Sequence, residues 1–295
     1  MDNNQKFDAY QAVTDKFIEL LSQGTVPWFR QAENAIGGAV SYESGKPYSL
    51  LNQLIIGKQG EFLTFNRAKE LGGRLRAGSH GHKIWFWCWR KKTETDADGN
   101  EKEVSYPVLK FYHVFDVKDF DGLKPVKKTD KRQHGNNAPD AVKNYLERET
   151  GLRLEASADG SAYYSPAEDL ACVPERNSFG EDSAYYAAVF HELTHSTMKE
   201  SRCDRMKEND GRVNFGKGDF SREELVAELG SSLLLSACGM SSPNMSPRQM
   251  SEYATGWLYR LKADKKLIVT ASSRAEKAVK YILCGKTGEE DLQEA

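Results

Sequence analysis

Cysteine is sparse in this sequence: five residues in 295, an odd number, with no C-x-x-C pair. Cys88, Cys172, Cys203, Cys238 and Cys284 are widely scattered. This argues against a disulfide framework and predicts reduced thiols used as small core residues in a cytoplasmic protein. Long apolar runs are missing too, so no segment reads as a membrane span. Residues 1–6 show no basic-then-apolar leader. Nor does one sign of charge dominate, the net being −2. The distribution is nevertheless uneven. Residues 1–132 hold 21 Lys/Arg against 17 Asp/Glu, a net of +4, and the remainder carries −6. Any polyanion would therefore meet the first half. The 39% hydrophobic and 28% charged content is that of a globular protein, long enough for one large or two ordinary domains.

Histidine is also scarce, at six residues, yet two of them stand four apart in His191-Glu192-Leu193-Thr194-His195. On a helix this H-E-x-x-H spacing puts both imidazoles on one face, one turn apart, where they can share a metal ion. Glu192 points roughly 100° away around the axis. A carboxylate there is placed to take a proton from water that the ion has acidified. The preceding Tyr185–Phe190 stretch is apolar, so the helix is expected to be largely buried, and buried polar groups need partners.

A catalytic zinc site needs a third protein ligand. The next strong helix is expected from Ser221 through Leu235, with Glu224 and Glu228 one turn apart on one face. Glu224 is the favoured third ligand. Glu228 is the candidate for the outer carboxylate that accepts a bond from a ligating imidazole and fixes its tautomer. Ser221-x-x-Glu224 also reads as a capping box, and Glu223, Glu228, Asp219 and Cys203 are alternative ligands. Imidazole and carboxylate donors suit Zn2+, and Mn2+ also fits. These residues resemble the zincin-like peptidases of the glutamate-ligand branch, in which E-x-x-A-[DE] follows the H-E-x-x-H helix. Here that motif is Glu224-Leu225-Val226-Ala227-Glu228, with Glu where many members carry Asp.

In the first half, helical periodicity runs over residues 4–23 and stops at Gly24 and Pro27. A short helix is expected from Ser49 to Ile56, a strand at 62–65 and a second short helix at 64–73. A strand follows at Ile84–Trp89, and sheet resumes at 107–117. Between Arg67 and Lys92 lie eight basic residues opposed only by Glu70. Within that span Trp85, Trp87 and Trp89 alternate onto one strand face. Cations for phosphates beside aromatics for bases are the ingredients of a single-stranded nucleic-acid site. The candidates are Trp28, Arg67, Lys69, Arg74, Arg76, Lys83, Trp85 and Trp87. Equally, the tryptophans can fill a core while the cations are solvated, and Trp28 after its turn can be a packing anchor. His80-x-His82 in a glycine-rich loop is a weak metal signal. Asp98-Gly99-Asn100 signals a hairpin turn.

Residues 131–140 read as a linker, dividing a domain at 1–130 from one at 141–295. The second domain opens with a helix near 140–150 and a small sheet built from 152–155, 162–166 and 169–174. Its outermost strand is a candidate for pairing with an extended peptide. Met206–Gly218 is polar and reads as a mobile segment over the site. Helices are expected at 249–262 and 272–283.

Taken together, the chain resembles the ArdC-type antirestriction proteins of conjugative plasmids. The resemblance rests on Val26-Pro27-Trp28, Gly45–Tyr48, Asn52, Leu63–Gly73, Gly78–Lys83 and Val114–Val117 in the first half. In the second it rests on Tyr185-Tyr186, the HELTH stretch, Glu223–Leu229, Trp257-Leu258 and Leu261–Asp264. It implies an α+β, two-domain protein: a small N-terminal domain that binds single-stranded DNA, and a C-terminal zincin-like metallopeptidase domain. It also implies protection of incoming plasmid DNA from host restriction, with a protein or peptide as a further substrate. Two rival readings remain open. One is a DNA-shielding protein whose metal site is structural or proteolytically silent. The other is a general metalloprotease with no nucleic-acid role.

Overall fold

The computed structural model describes residues 7–29, 38–95, 101–126, 137–206 and 219–285, without the side chains of 219–221. Helix α1 spans Ala9–Ser22. Asp8 caps it by accepting from Gln11 N at 3.1 Å, so the described helix starts at Ala9, inside the expected 4–23. Val13, Phe17 and Leu21 recur every four residues and are buried. Gly24 ends the helix at φ +76, a conformation that favours glycine.

The N-terminal sheet runs in the order β1 (Ala39–Ser41), β2 (Gly60–Leu63), β5 (Glu101–Asp116), β4 (His82–Thr95). Helix α2 (Leu50–Ile56) lies between β1 and β2, and α3 (Phe65–Glu70), capped by Thr64, follows β2. Strands β4 and β5 form one long antiparallel ribbon, with Trp85 opposite Phe111 and Trp89 opposite Pro107. Only Phe115 and Asp116 of β5 pair with β2, so most of the ribbon extends beyond the sheet. Its tip, with the expected turn at 98–100, lies outside the described residues. At its root the buried Asn52 of α2 grips the edge strand. Its Nδ2 donates to Trp85 O and its Oδ1 accepts from Trp85 N, both at 2.8 Å. Two short strands, β3 (Arg74–Leu75) and β6 (Phe120–Asp121), pair separately.

The second half begins with α4 (Ala138–Arg148), capped by Asn137 and started by Pro139. Residues 137–140 of the expected linker are therefore the cap and first turn of a helix, and 131–136 lie outside the described residues. A three-stranded sheet follows, ordered β7 (Arg153–Ala156), β9 (Leu170–Val173), β8 (Tyr163–Ser165). Helix α5 (Asp182–Ser196) packs on β8 and β9. Then come α6 (Asp219–Ala237), α7 (Pro247–Ala263) and α8 (Leu267–Cys284). A Ser246–Gln249 capping box starts α7. The expected segment at 206–218 lies outside the described residues beyond Met206.

Helices α6 and α8 run through both main cores. Their first halves, Leu225, Leu229, Leu267 and Ala271, join Val13, Phe17, Trp28, Leu50 and Trp85 from the first half of the chain. Their second halves, Leu234, Leu235, Val279 and Ile282, join Tyr145, Phe190 and Leu193. The apolar cluster behind Glu224 is thus built from both ends of the sequence. Among the described residues, no helix is long and apolar enough to cross a membrane.

Candidate metal centre

Helix α5 carries Val189, Phe190 and Leu193 fully buried, which fixes its rotation against the sheet and α8. His191 and His195 then face α6. Their Nε2 atoms lie 3.1 Å apart. Glu224 on α6 reaches between them, with Oε2 at 3.4 Å from His191 Nε2 and Oε1 at 3.3 Å from His195 Nε2. All three ligand atoms fall within 4.8 Å of one another. In a tetrahedral site with metal–nitrogen distances of about 2.0–2.1 Å, neighbouring donors stand roughly 3.3–3.4 Å apart. The observed spacings match such an edge. Lone pairs this close repel unless a cation or a proton lies between them, so the donor set fits a divalent ion. Of the alternative third ligands, Cys203 is buried with Sγ directed to Lys277 O at 3.9 Å. The side chain of Asp219 lies outside the described residues.

The electrostatics point the same way. Glu192 is buried beside the trio, and burial pushes its carboxyl up despite the neighbouring imidazoles. Burial also opposes charge on Glu224, but bonds to His191 and His195 hold it down at about 2. His195 is driven down by burial and more strongly up by Glu223 and Glu224, to about 9. Carboxylates on two sides of a buried imidazole favour positive charge at this cluster.

The carboxylate facing the far side of His195 is Glu223, with Oε1 3.5 Å from Nδ1. That separation is ion-pair rather than hydrogen-bond geometry, and it leaves this buried Nδ1 without a hydrogen-bond partner. Arg205 holds Glu223 from behind. Its Nε donates to Glu223 Oε2 at 3.0 Å, its Nη2 to Thr194 O at 3.0 Å and its Nη1 to Thr197 Oγ1 at 2.6 Å. Glu228, the expected outer carboxylate, is half-buried one turn further along α6, beside the Tyr253 side chain. The Tyr253 hydroxyl in turn accepts from Trp28 Nε1 at 3.0 Å. The sequence marks Glu223 as an alternative ligand and as part of the family motif, and carries no local signal for Arg205 or Tyr253. The doubled acid Glu223-Glu224 was the one available signal. On a helix adjacent residues diverge by about 100°, so one can face the cation and the other the outer side of an imidazole.

The nucleic-acid candidates separate into three groups. Trp28 is fully buried, edge-on to Trp257, and is a packing anchor, so it offers no face to a base. Trp85 is likewise buried, stacked on Phe7 at 6.3 Å. Arg67 pairs with Glu43 and Glu70, and Arg76 with Asp121. Lys69, Arg74 and Trp87 are exposed, and Lys83 lies 4.4 Å over the Phe111 ring. The structure therefore does not gather these eight residues into one site.

The helix pair with its two-histidine, one-glutamate cluster defines a zincin-like metallopeptidase domain, and the zincin-like metallopeptidase family model matches residues 141–274. The model for the N-terminal domain of anti-restriction factor ArdC matches residues 7–115. The metal-free crystal structure of the antirestriction protein ArdC from plasmid R388 superposes with a TM-score of 0.68 at 30% identity, covering 94% of this chain and 97% of that one. Its Mn(II)-bound form gives the same TM-score at 28% identity, with the same coverage. The chain belongs to the ArdC antirestriction family. Among curated relatives, a protein named DNA primase TraC from Escherichia coli is 28% identical over 294 residues, covering 93% of this chain. The chain spans only 20% of that relative's length, and 27% of a second TraC primase. An uncharacterised protein, y4eC of Sinorhizobium fredii, is 27% identical over 296 residues, 93% of this chain and 91% of that protein.

Proposed function

We propose that this chain is a metal-dependent antirestriction protein that binds single-stranded DNA through its N-terminal half and protects incoming plasmid DNA from host restriction. The observation that carries the metal reading is the approach of His191, His195 and Glu224 donor atoms to within 4.8 Å. These residues are the ligands of a divalent cation, zinc by donor type or manganese by analogy with the Mn(II)-bound R388 protein. Such an ion supplies Lewis acidity and lowers the pKa of water. Glu192 is the proton acceptor, buried beside the three ligands where it can take a proton and later return it to a leaving amine. Glu223, held by Arg205, supports His195 from behind. The substrate of the hydrolytic step is a protein or peptide, for which the edge strand β8 is a docking candidate.

The DNA reading is supported by the ArdC N-terminal family match, by the net +4 of residues 1–132, and by the presence of this region within two proteins named DNA primase. The test is Glu192→Ala. The variant is expected to keep its metal, to lose proteolysis and to lose protection in conjugation into a restricting host. Protection that survives the change would replace hydrolysis with shielding by occupancy.

A further inference from the structure

The ribbon formed by β4 and β5 carries the densest group of solvent-facing aromatics in the described structure. Trp89 is 67% exposed, Trp87 42%, Tyr112 38%, Phe111 37% and Tyr106 36%. A run of exposed rings on one protruding element is costly to leave in water and marks a binding surface. Residues 82–92 and 104–113 contain Lys83, Arg90, Lys91, Lys92 and Lys110 and no Asp or Glu. Acids enter only further out, where Glu103 pairs with Lys91 and Glu94 with Lys92, both exposed contacts that a competing anion can replace at little cost.

The register sorts these groups by face, because directly opposed residues of an antiparallel pair share a side. Trp87 stands opposite Leu109, and Trp89 opposite Pro107. Two residues along a strand advance about 7 Å, so each indole has room to take its own base. Tyr10 of α1 reaches Trp87 at 6.1 Å, while Trp89 lies one step beyond it and is the most exposed ring of the ribbon. On the other face Arg90 stands opposite Tyr106, and Lys92 lies 5.7 Å over the Tyr106 ring.

We infer that the Trp face of this ribbon is the surface that holds single-stranded nucleic acid, with Trp87 and Trp89 stacking bases and Lys91, on the same face, contacting phosphates. The inference rests on the DNA reading above and deepens it. It moves the site away from Trp28 and Trp85, which are buried. Stacking rings with flanking cations is a sequence-tolerant mode of single-strand recognition. A duplex keeps its bases stacked on each other, so it offers these rings no face.

The test uses the full chain and a labelled oligothymidylate of about 20 nucleotides, read by fluorescence anisotropy at low salt. The wild type is expected to bind, with affinity falling as salt rises. Trp87→Ala with Trp89→Ala is expected to weaken binding about tenfold or more, and Trp89→Phe to restore most of a Trp89→Ala loss. Lys69→Ala with Arg74→Ala is expected to change it less than threefold. Fluorine NMR of 5-fluorotryptophan protein gives a second readout that does not depend on any variant's folding. The Trp87 and Trp89 signals should move on oligonucleotide addition while Trp28 and Trp257 stay fixed. If the wild type binds and neither the alanine pair nor the Trp89 signal responds, the ribbon assignment is overturned and its rings are left to a protein partner. If the wild type itself does not bind, the DNA reading falls and takes this inference with it.

Discussion

Gly230 of α6 packs directly on Thr194 of α5, inside the H-E-x-x-H turn. A β-carbon added at Gly230 would stand 2.6 Å from Thr194 Cγ2 and 2.7 Å from its hydroxyl. Thr194 cannot turn away freely, because its hydroxyl donates to Phe190 O at 2.7 Å in a fully buried position. This contact sets how closely the helix bearing Glu224 approaches the helix bearing both histidines.

Gly230→Ala is therefore expected to destabilise the fold by about 1–3 kcal/mol through overpacking, and to weaken metal binding as the helices part. Chemical denaturation and metal titration check the two effects. Adding Thr194→Ala should recover much of both, giving a coupling that distant sites would not show.

A second prediction concerns Arg205. Its guanidinium and the Glu223 carboxylate are both buried, and Arg205 holds that carboxyl down at about 2 against the effect of burial. Arg205→Met leaves an unpaired buried charge and should cost about 3–5 kcal/mol. Glu223→Gln keeps the shape and removes the charge behind His195. It leaves Arg205 as the uncompensated charge and so should cost stability of the same order, and it should raise the metal dissociation constant about 10- to 100-fold in the protein that remains folded. Calorimetric titration of metal into the chelator-treated variant decides this, and an unchanged constant would make Glu223 purely structural.

Part of the acid sensitivity should come from Asp169. Burial pushes its carboxyl up, but Arg202, Tyr164 and Lys199 outweigh it and hold it below its ordinary value. Arg202 donates to both Asp169 oxygens, at 2.9 and 2.7 Å, and to Glu149 at 2.9 Å, tying the segment after α5 to the sheet and α4. A carboxyl depressed in the folded state stabilises it above the unfolded pKa of about 3.9, and that contribution is lost as pH falls through the folded value. Asp169→Asn removes the charge, and Asn tolerates the residue's φ of +50. The variant should lose about 1.5–3 kcal/mol at pH 7, and its gap to wild type should close below about pH 4 in denaturation series.

Asn52 gives a fourth. Replacing it with alanine leaves the main-chain N–H and C=O of Trp85 unpaired in a buried position. Roughly 2–4 kcal/mol of stability should be lost. Hydrogen exchange should speed up at the ribbon root before it does in α5.

The sequence carries local information well here and long-range information poorly. The pairing of His191 with His195, the one-turn step from Glu224 to Glu228 and the Trp85/87/89 alternation are each set within one or two turns of chain. What buries Trp28 is Tyr253 and Trp257, more than 220 residues downstream, so no local pattern distinguishes packing anchor from stacking platform. The tryptophan strand divides for the same reason. Trp85 is covered where α1 and α2 dock, while Trp89 lies past their reach. Arg205 is one of several basic residues in a polar stretch. Its role emerges only when α6 brings Glu223 beneath His195.

The most direct measurement is metal stoichiometry and affinity in the full chain after chelator treatment and back-titration with Mn(II) or Zn(II). Wild type should bind one ion per chain, Glu192→Ala should bind it about as tightly, and Glu224→Ala should lose most of the affinity. A wild type that takes up no ion, or a Glu224→Ala variant that binds as the wild type does, would contradict the assignment of His191, His195 and Glu224 as a shared metal centre.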